Sequence, residues 1–349
     1  MQTTKIDNYD IGRNCEPFII AEAGINHNGD IEKAFEMIKI AKNAGANAVK
    51  FQTFQAEELV SNATITYTYT SQGKEITESM QDMFKRYEFS REEWFKIKKK
   101  CDEEKIMFLS SPSSNSDLKL LLELGIKAIK VGSDDFTSIP LINEYAKTGL
   151  PLILSCGMAD LNEIHETVSS INKSKEQSMI LLLCTSEYPT PPDDVNLLKF
   201  KTLSKELDIP LGFSDHTQGN LASSLAVAFG ACVFEKHFTL DHNLPGPDHW
   251  FSEDPNGLKE WVDSIKNAHI MMGSANVVPT EKEKEIRKIA RKSIVTLKDI
   301  QKGEIFDLEK IGIKRPGEGL SPKLLENILG TKATRDLTKN ELLKQGDFQ

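Results

Sequence analysis

Two histidines follow short apolar segments in the second half of the chain. His216 comes just after residues 210–213, and His237 comes just after residues 232–234. Residues 221–229 between them are small and apolar, and they predict a tightly packed helix. A strand–helix–strand order predicts two adjacent parallel strands with both histidines at their carboxyl ends. Two imidazoles side by side are typical ligands of a divalent metal; the alternative is that each is an ordinary hydrogen-bonded histidine near a loop.

Two lysines also fall where apolar segments end. Lys50 and Lys130 are each followed closely by a hydroxyl residue. Charged residues at the end of an apolar strand are costly unless they are paired or used. Lysines and hydroxyls that converge on one edge are typical of a site for a phosphorylated anion. The alternative is that each is a surface lysine with a buried stem.

Further polar residues lie at the ends of predicted strands, and all of them are candidates for the same site. They are Glu22, Gln52, Ser110, Ser111, Ser133, Asp135, Ser155, Ser186, Tyr188, Ser214, Glu235 and Lys236. Asp248 lies in a rigid turn, residues 244–249, which follows the last predicted strand. His27, His242 and His249 are near the same edge, and we interpret them as loop residues or as supports of the site.

The elements that position these residues follow a steady alternation of apolar segments and helical patterns. The predicted strands are residues 17–22, 48–53, 106–110, 128–132, 151–155, 179–184, 211–214 and 232–237. About eight strand–helix repeats predict a (β/α)₈ TIM barrel, whose active site lies at the carboxyl ends of the strands. A doubly wound open sheet is the alternative fold. However, residues 22–29 lack the glycine-rich phosphate loop that follows the first strand of that fold.

Two segments break the repeat. Residues 56–88 combine Thr/Tyr alternation with polar runs and predict a long loop over the site. From residue 286 to the end the chain carries 14 Lys and Arg against 9 Asp and Glu, whereas the rest is acidic. We therefore predict a barrel at 1–280, a charged linker at 281–290 and a small mixed β domain at 291–349.

Composition limits the class of protein. The 349 residues are 39% hydrophobic and 27% charged, which is typical of a globular protein. No apolar run approaches the roughly 18 residues of a membrane span. Five scattered cysteines without a CxxC motif favour the reducing cytoplasm over a disulfide framework. The net charge of −9 disfavours nucleic acid as a general partner.

Eight motifs in fixed order identify the chain as a member of the sialic acid synthase family, which includes N-acetylneuraminate, legionaminate and pseudaminate synthases. They are EAGINHNG (22–29), VKFQT (49–53), KVGS (130–133), CTSEYPTP (184–191), FSDHT (213–217), EKHFT (235–239), PGPDH (245–249) and KRPGEG (314–319). The resemblance implies a TIM barrel joined to a C-terminal antifreeze-like (SAF, β-clip) domain in a domain-swapped homodimer. It also implies condensation of phosphoenolpyruvate with an N-acetylated mannose-type sugar, giving a nine-carbon keto acid and phosphate.

Position within the motifs implies a role for each candidate. His216 and His237 would hold Mn²⁺ or Mg²⁺, which would polarise the sugar aldehyde. Glu22 would be the acid/base or water-orienting carboxylate, with Asp135 as a second catalytic carboxylate. The residues implied to bind phosphoenolpyruvate are Lys50, Ser111, Lys130, Ser133, Ser155, Ser186 and Ser214. Those implied to hold the sugar are Gln52, Tyr188, Asp248 and Arg315, the last of which would reach in from the partner subunit.

Some positions depart from the family pattern, and other functions remain open. Asp135 replaces a common glutamate, Ser113 replaces a common aromatic residue, and Ser186 replaces a common asparagine. The motifs KHFTLD and CTSEYP favour the legionaminate-type branch over pseudaminate synthesis. A metal-dependent keto-acid aldolase is an alternative that would need the histidines but not the two lysines. A non-catalytic carbohydrate- or ice-binding protein would leave the polar strand ends without a task.

Overall fold

Eight parallel strands enclose the core of the larger of two compact units, Met1–Gly273; the smaller unit is Ser274–Gln349. The structure, a computed structural model, describes residues 3–171 and 177–349. In chain order the strands are β1 Thr4–Ile6, β2 Tyr9–Ile11, β3 Phe18–Gly24, β4 Ala48–Thr53, β5 Thr66–Ser71, β6 Lys74–Ser79, β7 Met107–Pro112, β8 Ile129–Val131, β9 Leu152–Ser155, β10 Met179–Cys184, β11 Leu211–Asp215, β12 Val233–His237, β13 Ser293–Thr296 and β14 Ile311–Lys314.

The helices alternate with the barrel strands and continue into the smaller unit. They are α1 Ile31–Ala44, α2 Ala56–Leu59, α3 Met80–Lys85, α4 Arg91–Glu104, α5 Asn115–Glu123, α6 Ile139–Ala146, α7 Leu161–Ile171, α8 Pro192–Val195, α9 Lys199–Glu206, α10 Leu221–Ala228, α11 Pro255–Met272, α12 Glu281–Ala290 and α13 Leu325–Ile328, with a 3₁₀ helix at Pro322–Leu324. Local sequence fixes several ends: the Asp30 carboxylate caps α1 by accepting from Glu32 N and Lys33 N, and Gly45 ends it at φ 89°.

The eight strands are hydrogen-bonded in the order β7-β4-β3-β12-β11-β10-β9-β8, and β7 packs beside β8 where the sheet closes. The predicted (β/α)₈ barrel is confirmed, and the open doubly wound sheet is excluded. Each predicted strand matches an observed one, with ends that differ by at most two residues. As predicted, β11 and β12 are parallel neighbours joined by α10.

The inside of the barrel changes from apolar to polar along every strand. Its apolar part consists of Phe18, Ile20, Ala48, Leu109, Ala128, Ile153, Ile180, Leu182 and Val233, with Gly212 at the equivalent place on β11. Because side chains alternate between the two faces of a strand, the next inward residue lies two positions farther along. Those residues are Glu22, Lys50, Ser111, Lys130, Ser155, Cys184, Ser214 and Glu235. One from each strand, they form what we call the polar layer, at the carboxyl ends of the strands.

The amino ends of the strands are covered by a short hairpin that the sequence analysis did not predict. Strands β1 and β2 pair in antiparallel fashion. Ile6 and Ile11 from this hairpin are buried in the same cluster as Phe18 at the start of β3. The barrel is therefore closed by apolar contacts at one end and is polar at the other.

The long loop predicted at 56–88 is wrong. The segment contains α2, the antiparallel β5–β6 hairpin and α3. Its Thr/Tyr alternation is a strand pattern on a largely exposed hairpin. The hairpin is attached to the loop after β12, since Gly246 N donates to Ser71 Oγ at 3.0 Å and Gln72 Nε2 donates to Asn243 O at 2.8 Å.

The smaller unit has its own apolar core. Strands β13 and β14 pair in antiparallel fashion, and isolated bridges join the segments around them. The core residues are Ile294, Ile300, Phe306, Ile311, Ile328, Ala333, Leu337 and Leu343. The segment predicted as a linker is helix α12, which has no buried residue. No helix in the described ranges is both long and apolar enough to cross a membrane, and all five cysteines are free.

Replacing Gly212 by alanine should destabilise the barrel. A Cβ at this position would lie 2.4 Å from Val233 O and 2.4 Å from Leu182 Cδ2, inside a core that has no room to relax. We expect a loss of about 1–3 kcal/mol in the free energy of unfolding. Urea unfolding followed by tryptophan fluorescence measures it, because Trp94, Trp250 and Trp261 all lie in the larger unit.

Gly132→Ala is the control for that measurement. The atoms nearest its added methyl group belong to the exposed Asp134 side chain, which is able to move away. An equal loss in both variants would contradict the packing explanation.

Candidate active site

Two lysines and two glutamates form a buried ionic cluster in the polar layer. Lys50 Nζ lies 2.9 Å from Glu22 Oε1 and 3.8 Å from Glu235 Oε2. Lys130 Nζ lies 3.5 Å from Glu235 Oε1, so this carboxylate bridges the two lysines. None of the four side chains is more than 7% exposed. Their formal charges cancel, as burial of four ionisable groups requires.

The four groups differ in how strongly they hold their charge. Burial raises the pKa of Glu22; Lys50 opposes this shift and Glu235 adds to it. Burial acts on Glu235 in the same direction, but Lys130 and Lys50 outweigh it and lower the pKa of that carboxyl. Burial lowers the pKa of Lys130. For Lys50 the two glutamates outweigh burial and raise the pKa. Glu22 is thus the carboxyl of the cluster that protonates more readily.

Serine hydroxyls contact each charged group of the cluster except Glu22. Ser111 Oγ accepts a hydrogen bond from Lys50 Nζ at 3.3 Å, and Ser155 Oγ accepts one from Lys130 Nζ at 2.8 Å. Ser214 Oγ donates to the bridging carboxylate at 3.2 Å. The structure therefore brings together both lysines and three of the five serines predicted to bind phosphoenolpyruvate.

The other two predicted serines flank Gly157, a residue the sequence analysis missed. Gly157 N donates to Ser133 Oγ at 3.0 Å. A Cβ on Gly157 would lie 2.3 Å from Ser186 Oγ and 2.6 Å from Ser133 Oγ. Ser186 Oγ is buried and has no hydrogen-bond partner in the described part of the chain. We call this place the glycine recess; its two hydroxyls suit an oxygen atom of an anion.

The two histidines predicted as metal ligands face each other. Their ring centroids are 5.6 Å apart. His216 Nδ1 donates to Thr185 O at 2.7 Å, which leaves Nε2 as the ring nitrogen available to a metal ion. The Tyr188 ring lies 4.1 Å from the His216 ring, and the Phe251 ring lies 5.6 Å from the His237 ring. The imidazole pair is therefore held in an aromatic wall beside the ionic cluster.

The donor atoms at this wall fit one divalent cation. His237 Nδ1 is buried and lacks a hydrogen-bond partner among the described residues. Burial, and then His216, hold the pKa of His237 well below its usual range, which favours the neutral ring that a metal ligand needs. At His216 burial is outweighed by Cys184 and the Thr185 carbonyl, which raise the pKa of that ring. Asp248 Oδ2 is 4.0 Å from His237 Nδ1. Across residues 3–171 and 177–349 no group of three or more His, Cys, Asp and Glu side chains could hold a metal. Two protein ligands would leave coordination positions for water and substrate.

The remaining predicted residues lie in different surroundings. Gln52 Nε2 donates to Glu22 Oε1 at 3.4 Å, inside the ionic cluster. Burial raises the pKa of Asp248 to about 7. Burial also raises the pKa of Asp135 to about 6, but no hydrogen bond or ion pair of the described residues joins its carboxylate to the cluster. Arg315 is exposed in the smaller unit, and its part in the site stays a prediction.

The sequence analysis gave no role to Glu235 and did not identify Gly157 or Phe251 as site residues. Glu235 was placed at a strand end only, although the cost of a buried charge, which singled out Lys50, applies to it equally. Gly157 and Phe251 carry no sequence signal of their own, because their roles depend on contacts between different strand ends.

Two of the loop histidines support the site by packing. His27 stacks on Phe89 with ring centroids 4.3 Å apart and accepts from Gly29 N at 3.0 Å. His249 Nε2 lies 3.0 Å from Asn28 Oδ1, and its Nδ1 lies 2.6 Å from Thr239 Oγ1. Burial lowers the pKa of His27 to about 3 and that of His249 to about 4. Both rings are therefore neutral structural groups.

A parallel barrel with charged and imidazole groups at the carboxyl ends of its strands defines a (β/α)₈-barrel enzyme. The chain matches the NeuB family over residues 37–277 and the SAF domain over residues 291–349. It is 39% identical over 336 residues to N,N'-diacetyllegionaminic acid synthase of Legionella pneumophila, covering 95% of this chain and 94% of that protein. It is 40% identical over 332 residues to the protein of the same name from Campylobacter jejuni, covering 94% of this chain and 98% of that one.

A solved structure agrees with these relatives. The N-acetylneuraminic acid (sialic acid) synthetase from Leptospira borgpetersenii superimposes with a TM-score of 0.74 at 35% identity, covering 82% of this chain and 95% of that one. The chain belongs to the NeuB family, the sialic acid synthases, which confirms the resemblance found in its motifs. It is thus an enzyme of the phosphoenolpyruvate-condensing transferase type, with a C-terminal SAF domain.

Replacing the buried neutral His249 should reduce the dependence of the free energy of unfolding on pH at acid pH. Between pH 6.5 and about 4 the unfolded His249 binds a proton that the folded one does not. Stability therefore rises with pH across this window, by about 1.4 kcal/mol per pH unit for one such group. His249→Gln should reduce the slope by about that amount, as measured by urea unfolding at several pH values. His242→Gln, an exposed histidine on the same loop, should leave the slope unchanged; an unchanged slope in His249→Gln would contradict the assignment.

Proposed function

We propose that the enzyme condenses phosphoenolpyruvate with an N-acetylated mannose-type sugar in a metal-dependent reaction, giving a nine-carbon keto acid and phosphate. The observation that carries the proposal is the buried cluster of Lys50, Lys130, Glu22 and Glu235 beside the His216–His237 pair. A metal-dependent keto-acid aldolase, which handles no phosphate, has no need for two lysines in the barrel interior.

Phosphoenolpyruvate would bind where the positive charges and hydroxyl donors converge. Lys50 and Lys130 offer ammonium groups, and Ser111, Ser155 and Ser214 already contact the cluster. The glycine recess adds two further hydroxyls next to this row. An anion of this charge, taken out of water, requires several charge-assisted hydrogen bonds, and the polar layer supplies them.

His216 and His237 would hold the cation, Mn²⁺ or Mg²⁺. When bound there, a divalent cation acts as a Lewis acid on the carbonyl oxygen of the open-chain sugar. The hydrogen bond from His216 Nδ1 to Thr185 O fixes the ring, and Tyr188 packs against its face. Asp248, whose Oδ2 is 4.0 Å from His237 Nδ1, and Tyr188, whose ring packs on His216, would hold sugar hydroxyls.

Glu22 would move the proton. The pKa of Glu22 is raised by burial, whereas Lys130 and Lys50 outweigh burial and lower that of Glu235, so Glu22 is the carboxyl better suited to carry a proton. Glu22 Oε2 is buried and has no hydrogen-bond partner among the residues that the structure describes, while Oε1 accepts from Lys50 and Gln52. As the enol carbon bonds to the aldehyde carbon, this carboxyl gives its proton to the aldehyde oxygen. It then takes a proton from the water that adds to the oxocarbenium carbon. As the C–O bond to the phosphate breaks, the new hydroxyl oxygen becomes the keto oxygen and its proton leaves with the phosphate.

The preferred sugar would be of the N,N'-diacetyllegionaminate type, with pseudaminate and neuraminate precursors as the alternatives. The motifs KHFTLD and CTSEYP and the two relatives named N,N'-diacetyllegionaminic acid synthase support this choice. The role of Asp135 as a second catalytic carboxylate rests on its raised pKa and on motif position.

The enzyme would act as a homodimer in which Arg315 completes the sugar site of the partner subunit. Helix α12 exposes Ile286 and Ile289 on one side, by 59% and 73%, as a surface covered in an oligomer would. Sedimentation as a monomer at assay concentration would contradict this assembly.

Phosphate release from phosphoenolpyruvate tests the function directly. With Mn²⁺ present, kcat/KM should be about 10-fold or more higher for 2,4-diacetamido-2,4,6-trideoxymannose than for N-acetylmannosamine. The chelated enzyme and the reaction without sugar serve as controls. Preference for N-acetylmannosamine would overturn the legionaminate assignment alone, whereas no release with either sugar would overturn the proposed sugar class.

The glycine recess provides a test of phosphoenolpyruvate binding. In Gly157→Ala the added methyl group would displace the hydroxyls of Ser133 and Ser186. We expect the KM for phosphoenolpyruvate to rise about 10-fold or more, since each lost hydrogen bond to a charged group is worth about 1.5–3 kcal/mol. The KM for the sugar should change little. Met158→Ala, an adjacent residue that is 73% exposed, is the control; equal effects on both substrates would contradict the placement.

A further inference from the structure

The residues that precede the two histidines point away from the site and pair with each other. In the parallel ladder of β11 and β12, Asp215 is in register with Lys236. Each is one position before a histidine, so each lies on the opposite face of its strand. Lys236 Nζ is 3.2 Å from Asp215 Oδ2, and the side chains are 3% and 0% exposed. An ion pair this deeply buried calls for a reason beyond stability, because well-packed apolar residues would serve as well.

Glu253 connects this pair to the main chain on both sides. Its N–H donates to His237 O at 2.9 Å, and its own carbonyl accepts from Thr239 N at 2.8 Å. Its carboxylate lies 3.7 Å from Lys236 Nζ and accepts from Gly219 N at 2.8 Å. One residue therefore contacts the loop after β11, the lysine of β12 and the backbone of His237.

The β11 side is fixed in the same way. Asp215 Oδ1 accepts from Thr217 N at 2.9 Å and from Thr217 Oγ1 at 2.8 Å. Asp215 Oδ2 accepts from Ser223 Oγ at 2.5 Å, and Ser223 Oγ accepts from Trp261 Nε1 at 2.8 Å. Lys236 Nζ also donates to Thr217 O. Asp215 and Thr217, the residues on either side of His216, are thereby fixed by hydrogen bonds that extend to Ser223 in α10 and Trp261 in α11.

We propose that Asp215, Lys236 and Glu253, the rim clamp, are positioning residues that set the distance and angle between His216 and His237 for metal binding. The inference rests on the proposed function, in which these histidines hold the cation. The clamp lies behind the histidines, so it acts on the metal through the placement of the rings rather than by direct contact. Residues that orient metal ligands typically alter metal affinity by 10- to 100-fold.

The double variant Asp215→Asn/Lys236→Met tests the clamp by removing both charges of the buried pair at once; the Glu253 carboxylate, which is 15% exposed, keeps its hydrogen bond from Gly219 N. Titration of the full-length protein with Mn²⁺, following free Mn²⁺ by electron paramagnetic resonance, should show a Kd at least about 10-fold weaker than that of the parent. Turnover should recover at high Mn²⁺, with the KM for phosphoenolpyruvate near its parent value. Lys259→Met/Asp263→Asn, an exposed ion pair on α11, should bind Mn²⁺ like the parent.

The possible outcomes separate the clamp from the function it supports. A double variant that unfolds at lower temperature but binds Mn²⁺ like the parent would show a structural pair only and would overturn the clamp. Absence of saturable Mn²⁺ binding by the parent would overturn the metal assignment and the clamp with it. If the double variant fails to fold, Glu253→Gln keeps the side-chain shape and both main-chain hydrogen bonds. Its Mn²⁺ Kd should also weaken, and an unchanged Kd would overturn the clamp.

Discussion

The site depends on the burial of four ionisable side chains whose charges cancel. Lys50, Lys130, Glu22 and Glu235 lie inside a barrel, where an unpaired charge would cost several kcal/mol. Each therefore requires an oppositely charged partner, and the three lysine–glutamate distances are 2.9–3.8 Å. The same pairing makes the two carboxyls different. Glu235 contacts both lysines and holds its negative charge more strongly, whereas Glu22 contacts only Lys50 and binds a proton more easily. The same balance leaves lysine N–H groups available to a highly charged substrate.

Strand β12 joins the two halves of the site. Glu235 and His237 are two residues apart and lie on one face of the strand, so the ionic cluster and the imidazole pair share a backbone segment. The arrangement is repeated by Ser214 in β11 and by His216, the residue directly after the end of that strand. Lys236 and Asp215 fall on the other face because of the same alternation. Because successive side chains point to opposite faces, one face of each strand carries the site residues and the other face carries the residues that support them.

Local sequence patterns were sufficient to predict much of this arrangement. The alternation of apolar segments and helices predicted eight strands and their parallel order, and a charged residue at the end of an apolar segment pointed to Lys50 and Lys130. The segment 56–88 was misread because exposed strands lack the apolar periodicity that marks buried ones. Gly157 was missed because its significance lies in two hydroxyls contributed by other strand ends.

The sequence by itself determined the barrel, the family and the residue types at the strand ends, since period, length and motif spacing are local properties of the chain. Only the tertiary structure decided which of those residues meet. Glu235 became the bridge between two lysines because closure of the sheet brings β12, β4 and β8 around one interior. Likewise Lys236, a charged residue at a strand end, faces away from the ionic cluster because side chains alternate along β12. Asp135 lies in the loop after β8, and no hydrogen bond or ion pair of the described residues joins it to the cluster. The distances between these side chains and their burial arise when the eight-stranded sheet closes, so they cannot be read from any local segment of the sequence.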